Sequence, residues 1–161
     1  MQSVLRNMIL GIAAVAFAAS VSGVSAQSKD AGMGAWKLNV AKSKYSPGPA
    51  PKSLTVRFEP VGKGVKLTTE QVNADGSSTA TEYTANYDGK DYPLKGSPLA
   101  DTVSLKRINS STTVRTDKKG GKVMTTLRRV VAKDGKTFTV AVTGVNLKGD
   151  PVKNTLVFEK Q

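Results

Sequence analysis

The sequence contains no cysteine and no histidine among its 161 residues. Without them there can be no Ser-His or Cys-His nucleophile pair and no zinc site built on His or Cys ligands. A folded domain must also be held together by its core alone, because no disulfide can form. The enzymatic chemistry that remains is carboxylate, lysine, tyrosine or Ser-Lys chemistry, and no constellation of those residues stands out. We therefore predict no catalytic residue.

Acidic residues are also scarce, since 12 aspartates and glutamates stand against 24 lysines and arginines, which gives a formal net charge of +12. Such an excess favours anionic partners such as phospholipid head groups, acidic polysaccharide or nucleic acid. The alternative interpretation is that the charge serves solubility alone. The cations are spread along the chain and are not interleaved with aromatic residues, so we expect no specific nucleic-acid binding.

Several carboxylates stand beside glycine and are typical of turns. They are Asp75, Asp88, Asp134 and Asp150. The segment around Asp75 lacks the further ligands and the closing glutamate of a calcium loop. The sequence predicts neither a metal site nor a cofactor.

Long hydrophobic runs are absent after the first residues of the chain. A short start with Arg6 as its only charge precedes an apolar run over residues 8–19, and small residues follow as far as Ala26. This order is that of a secretory signal peptide with its cleavage site. The alternative is a membrane anchor, but the apolar run is shorter than the roughly 20 residues that span a bilayer. The sequence predicts a signal peptide over residues 1–26 and an exported protein, periplasmic or secreted.

The remainder divides into a flexible leader over residues 27–33 and one domain over residues 34–161. In that domain apolar and polar residues alternate, as Leu54, Val56 and Phe58 do with their neighbours, and the alternating segments are separated by Asp-Gly or Gly-Gly. Alternation predicts half-buried strands, and these glycines suit hairpin turns. The predicted fold is all-β, a single antiparallel up-and-down meander of about 8–10 strands, closed as a barrel because closure removes exposed edges.

The opening strand, Gly34 to Leu38, has a Gly-x-Trp-x-Leu pattern, and the chain closes with Thr155-Leu-Val-Phe-Glu-Lys160. In these features the domain resembles the calycin superfamily, the lipocalins and fatty-acid-binding proteins. The resemblance implies a lipocalin-like β-barrel whose interior takes a small apolar or amphipathic ligand. Two departures are visible. Leu156 and Phe158 stand where fatty-acid-binding proteins often have an Arg-x-Tyr carboxylate clamp, and the Pro-rich segment 41–53 cannot form their helical lid.

Aromatic residues make up only 6% of the chain, so each is a candidate for the core or for a ligand site. Trp36, the only tryptophan, could contact a ligand or could plug a closed barrel end beneath a cationic side chain. Tyr83 and Tyr87 share one face of a predicted strand, where they could line a pocket or belong to the core.

Arg129 lies on a strand face with Val123, Leu127 and Val131, and Arg107 follows Val103 and Leu105 in the same way. If these faces point inward, each guanidinium needs an anionic or hydrogen-bonding partner. A ligand carboxylate or phosphate could supply it. The alternatives are a salt bridge to Glu70 or Glu82, or an arginine exposed on the other face of the strand.

Two functions remain open at this point. The first is an exported lipocalin-like protein that binds a small amphipathic ligand, either anionic or uncharged, through Arg129, Arg107, Tyr83, Tyr87 and Trp36. The second is a non-enzymatic envelope-associated structural domain whose basic surface contacts anionic polymer or lipid. The sequence leaves the oligomeric state undetermined.

Overall fold

The computed structural model of the protein describes residues 30–161, and these form ten β-strands and one short 3-10 turn. The predicted signal peptide lies outside the described residues. The strands are β1 (Gly34–Leu38), β2 (Ser53–Val61), β3 (Gly64–Val72), β4 (Ser78–Asn86), β5 (Asp88–Pro93), β6 (Thr102–Arg107), β7 (Thr112–Lys119), β8 (Lys122–Val131), β9 (Thr137–Val145) and β10 (Pro151–Lys160). The 3-10 turn, Val40–Lys42, follows β1.

All ten strands belong to one antiparallel sheet in the order β4-β3-β2-β1-β10-β9-β8-β7-β6-β5. Chain neighbours pair with each other, and the first strand also pairs with the last, with Trp36 opposite Lys160 and Leu38 opposite Phe158. This pairing curls the meander into a nearly closed barrel. The predicted all-β meander is therefore confirmed, and the strand count lies at the upper end of the predicted range.

The barrel is incomplete between β4 and β5, the two ends of the sheet order. The sequence predicted a tight turn at Asp88-Gly89, but Asp88 and Gly89 belong to β5, which pairs with β6 and not with β4. The chain passes from β4 to β5 through Tyr87 alone, so the two strands diverge. Two backbone hydrogen bonds between Glu82 and Lys95 bridge the gap farther along.

Alternating side chains fill one end of the barrel, which we call the closed end. Trp36, Phe138, Phe158 and Phe58 lie there and are all buried. The Phe138 ring centroid is 4.6 Å from that of Trp36 and 4.7 Å from that of Phe158. Such contacts add to the hydrophobic stabilisation of the core.

The opposite end, which we call the open end, contains the Pro-rich connection between β1 and β2 and the turns that follow β3, β7 and β9. Leu147, in the turn after β9, is 68% exposed there. Over residues 30–161 the structure contains no helix long and apolar enough to cross a bilayer.

Candidate ligand-binding site

A cavity of about 500 Å³ occupies the barrel between the aromatic side chains of the closed end and the open end. Its apolar lining comes from strands on both sides of the barrel and includes Leu54, Val56, Phe58, Leu67, Leu105, Leu127, Val140 and Leu156. Volumes of this size, with apolar walls and few polar groups, are typical of small-molecule sites. Phe58, Arg129 and Phe158 at the closed end of the lining are buried. Thr79 and Leu147 at the other end are exposed, so the cavity reaches solvent at the open end.

Arg129, on β8, lies at the deep end of this cavity and is only 7% exposed. Its guanidinium carbon lies 4.3 Å from the Phe58 ring centroid and 5.7 Å from that of Phe138. Among residues 30–161 its Nε and Nη1 atoms find no hydrogen-bond acceptor. A buried charge without a hydrogen-bonded counter-charge is costly, so this is the most unusual polar group in the barrel.

The two carboxylates considered as partners of Arg129 lie elsewhere. Glu70 is exposed, and Glu82 pairs with Lys66 at 3.3 Å and with Lys95 at 3.8 Å. Alternation placed Val123 on the same strand face as Arg129, but this prediction is wrong, because Val123 is 51% exposed. The β7–β8 register shifts between Asp117 and Lys118, so the inward alternation of β8 begins only at Thr125.

Arg107 lies at the rim of the closed end and does not line the cavity. Its guanidinium stacks over the Tyr87 ring, 4.2 Å from the centroid, and its Nη2 donates to Asp30 Oδ2 at 2.7 Å. Burial opposes the charge on Asp30, but the hydrogen bonds from Arg107 and from the Gly32 amide, with the positive charges of Arg107 and Arg129, lower its pKa.

A turn at residues 30–33, part of the predicted flexible leader, packs across the closed end. The Gly32 amide donates to Asp30 Oδ1 at 2.9 Å, and the Gly32 carbonyl accepts from Trp36 Nε1 at 3.0 Å. Gly32 also lies directly against Arg129, because a Cβ added there would be 2.9 Å from Arg129 Nη2. The guanidinium thus packs against both this glycine and the Phe58 ring.

Tyr83 and Tyr87 both line the cavity. Burial raises the pKa of each phenol. Trp36, in contrast, is completely buried beneath Lys160, whose Nζ lies 5.1 Å from the ring, and it takes no part in the cavity lining. Of the five predicted site residues, the structure therefore brings Arg129, Tyr83 and Tyr87 together around the cavity.

Sequence reasoning missed a second cavity arginine, Arg115 on β7. Arg115 forms a two-fold contact with Asp117, Nε to Oδ1 at 2.6 Å and Nη2 to Oδ2 at 2.9 Å, and lies 4.9 Å from the Tyr83 ring centroid. Burial alone would lower the pKa of Arg115, but its interactions with Tyr83 and Asp117 outweigh burial and raise it. One signal could have found this pair: Arg115 and Asp117 are two residues apart, so on a strand their opposite charges lie on the same face.

One wall of the cavity is polar near the open end. Thr69 and Thr81 face each other across β3 and β4 with their hydroxyl oxygens 2.7 Å apart, and Gln71 and Thr79 continue this wall outward. No group of three or more Asp or Glu side chains in the described part of the chain is placed to hold a metal ion. The site therefore consists of an apolar chamber, a polar wall and a cationic deep end.

No family model matches the chain, and no curated protein matches it. Among solved structures, it is similar to the zebrafish ileal bile acid-binding protein in complex with cholic acid. The sequence identity is 9% and the TM-score is 0.47, over 81% of this chain and 99% of that chain. The nearly closed antiparallel barrel described above rests on the strand pairing of this chain itself.

Proposed function

We propose that this protein binds a small amphipathic ligand with an acidic head group inside the barrel. The observation that carries the proposal is Arg129, a buried guanidinium with two unpartnered nitrogen atoms at the end of an apolar cavity. A ligand carboxylate or sulfate would supply the missing acceptors through charge-assisted hydrogen bonds. The apolar walls would then bury the rest of the molecule.

The geometry also supports an orientation for the ligand. Arg129 lies at the closed end beside Phe58, whereas the cavity reaches solvent near Leu147. An acidic head would therefore enter first and an apolar or hydroxylated tail would remain toward the open end. The threonines of the polar wall offer hydrogen bonds to hydroxyl groups on such a tail.

The test replaces Arg129 by methionine, which keeps an unbranched apolar stem and removes the charged guanidinium. Decyl sulfate binding, measured by calorimetry, should weaken in Arg129→Met by about 2–5 kcal/mol, the usual scale for breaking a buried charge pair. Arg128→Met is the matched control, because Arg128 is the neighbouring residue and is exposed on the outer face. Equal affinity in the wild type and both variants, or no binding by the wild type, would contradict the proposal.

We further propose that the domain acts outside the cytoplasm. The support is the order of charge, apolar run and small residues over residues 1–26. N-terminal sequencing of protein recovered from its host should begin at Gln27 or within a few residues of it. Retention of Met1 on a membrane-bound protein would overturn this.

A further inference from the structure

Just beyond the deep end of the cavity, the carboxylate of Asp30 bonds to Arg107 and lies two residues from Gly32, which packs against Arg129; this arrangement bears on ligand charge. We propose that Asp30 is a specificity-determining residue that restricts the acidic head group to a single negative charge. The proposal rests on the proposed function, because it concerns the same site. It adds a role for the turn at residues 30–33, which closes that site from below.

The contacts of Asp30 tie it to both arginines of the closed end. One carboxylate oxygen accepts from Arg107 at 2.7 Å, and the other accepts from the amide of Gly32 at 2.9 Å. Gly32 in turn lies against the Arg129 guanidinium. Asp30 is largely buried, with its side chain 14% exposed. Its negative charge is therefore close enough to the Arg129 guanidinium to interact with it electrostatically.

Over residues 30–161, two of the three arginines in and beside the cavity have a carboxylate partner. Arg115 is neutralised by Asp117, and Arg107 by Asp30, each in a direct ion pair. Arg129 has no carboxylate within salt-bridge distance. One positive charge is left for a ligand. A singly charged head group would balance it, whereas a doubly charged one would leave a buried excess beside Asp30.

The experiment compares decyl sulfate with decyl phosphate, which share a chain and a tetrahedral head but differ by one charge. At pH 8 an alkyl phosphate carries two negative charges, because its second pKa is about 6. Calorimetry on the wild type should show the sulfate bound at least about tenfold more tightly, since like charges placed side by side are strongly unfavourable. Removing the carboxylate in Asp30→Asn should reduce this preference about tenfold, mainly through tighter phosphate binding.

The matched control is Asp134→Asn. Asp134 lies in the turn between β8 and β9 at the same closed end, is exposed, and accepts a hydrogen bond from the Lys136 amide. This variant removes the same charge from the same end of the barrel without touching the cavity floor. Its ratio of sulfate to phosphate affinity should equal that of the wild type.

Arg107→Gln separates an electrostatic role from a merely structural one. It breaks the same bridge but leaves Asp30 charged and unpaired near Arg129, so both probes should bind more weakly, the phosphate most. If the bridge only holds the turn in place, Asp30→Asn and Arg107→Gln should weaken binding alike. That result would overturn the inference, and opposite changes in phosphate affinity would support it.

Failure of this inference differs from failure of the proposed function. If the wild type binds neither probe, the ligand site itself is wrong. If it binds both with a ratio that Asp30→Asn does not change, the site stands and Asp30 does not select charge. Asp30→Ser, which keeps an oxygen for the Gly32 amide, serves if the asparagine variant does not fold.

Discussion

Two arginines on neighbouring strands face the same cavity in opposite circumstances. On β7 and β8, Arg115 stands opposite Leu127 and Arg129 stands opposite Thr113, so the two are diagonal neighbours. Arg115 has a complete partner in Asp117, whereas Arg129 has aromatic rings and unused nitrogen atoms. A buried cation that the fold neutralises belongs to the architecture, whereas the one left without a counter-charge is the basis of the proposed ligand site.

Substitution by methionine should separate these two regions most clearly. Arg115→Met leaves Asp117, itself only 7% exposed, buried without its counter-charge. We expect the free energy of unfolding to fall by about 3–5 kcal/mol, as when one member of a buried ion pair is removed. Urea denaturation followed by Trp36 fluorescence measures this.

The matched variant for that measurement is Arg129→Met. It removes no partner from any carboxylate and adds apolar surface beside Phe58 and Phe138, so the ligand-free protein should keep its stability or gain some. Equal losses in the two variants would show that Arg129 is as much a part of the architecture as Arg115, and the comparison would fail.

The tyrosine beside each arginine extends the comparison to alkaline pH. Burial raises the pKa of Tyr83, near Arg115, and of Tyr87, near Arg107 and Arg129, and it raises the pKa of Tyr45 to about 12. Above pH 10 the unfolded chain would release phenolic protons that the folded chain still holds, so stability should fall as pH rises from 10 toward 12.

Phenolate absorbance and denaturation across this range measure the effect. Tyr83→Phe and Tyr87→Phe should each reduce the loss of stability between pH 10 and pH 12, because each removes one phenol whose pKa is raised in the folded protein. The contradicting result is a stability that does not change between neutral pH and pH 12 in the wild type.

A smaller effect probes the floor beneath Arg129 alone. Gly32→Ala places a methyl group 2.9–3.0 Å from the guanidinium, which must shift to make room. Because the displaced atoms are the end of a long side chain, we expect the free energy of unfolding to fall by about 1 kcal/mol, the low end for overpacking. Decyl sulfate affinity should fall by more than the stability does. A change in stability without a change in affinity would place the guanidinium outside the binding site.

The sequence predicted the meander correctly because strand alternation and glycine turns are local signals. Gly120 and Gly121, for example, both take positive φ in the turn between β7 and β8. The direction of a strand face is less visible when both faces are mixed. On β7 the inward residues are Thr113, Arg115 and Asp117, and the outward ones include Val114, so polarity alone would choose the wrong face.

The role of residues 30–33 could not be predicted for a different reason. Asp30 and Gly32 stand in a small, polar segment that carries no alternation, and such segments are usually flexible leaders. Their order comes from partners far along the chain, since 77 residues separate Asp30 from Arg107. The gap between β4 and β5 likewise depends on which strands pair, and the Asp-Gly at its border predicted a hairpin that the sheet does not form.

The smallest expected effect concerns acid pH and the bridge at the closed end. The pKa of Asp30 is lowered in the folded protein, so its contribution is complete above the ordinary carboxyl pKa of 3.8 and is lost as pH falls through the lowered value. Arg107 is 36% exposed, which limits the contribution at neutral pH to about 0.5–1 kcal/mol. Other carboxylates, Glu159 among them, also have a lowered pKa, so the informative quantity is the difference in unfolding free energy between wild type and Asp30→Asn. That difference should be constant from pH 7 to pH 5 and should shrink as pH falls below 3.8 and through the lowered pKa of Asp30, as measured by urea denaturation at each pH. A difference that persists into strong acid would mean that Asp30 acts through packing and not through its charge, which would also remove the electrostatic basis of its role in ligand selection.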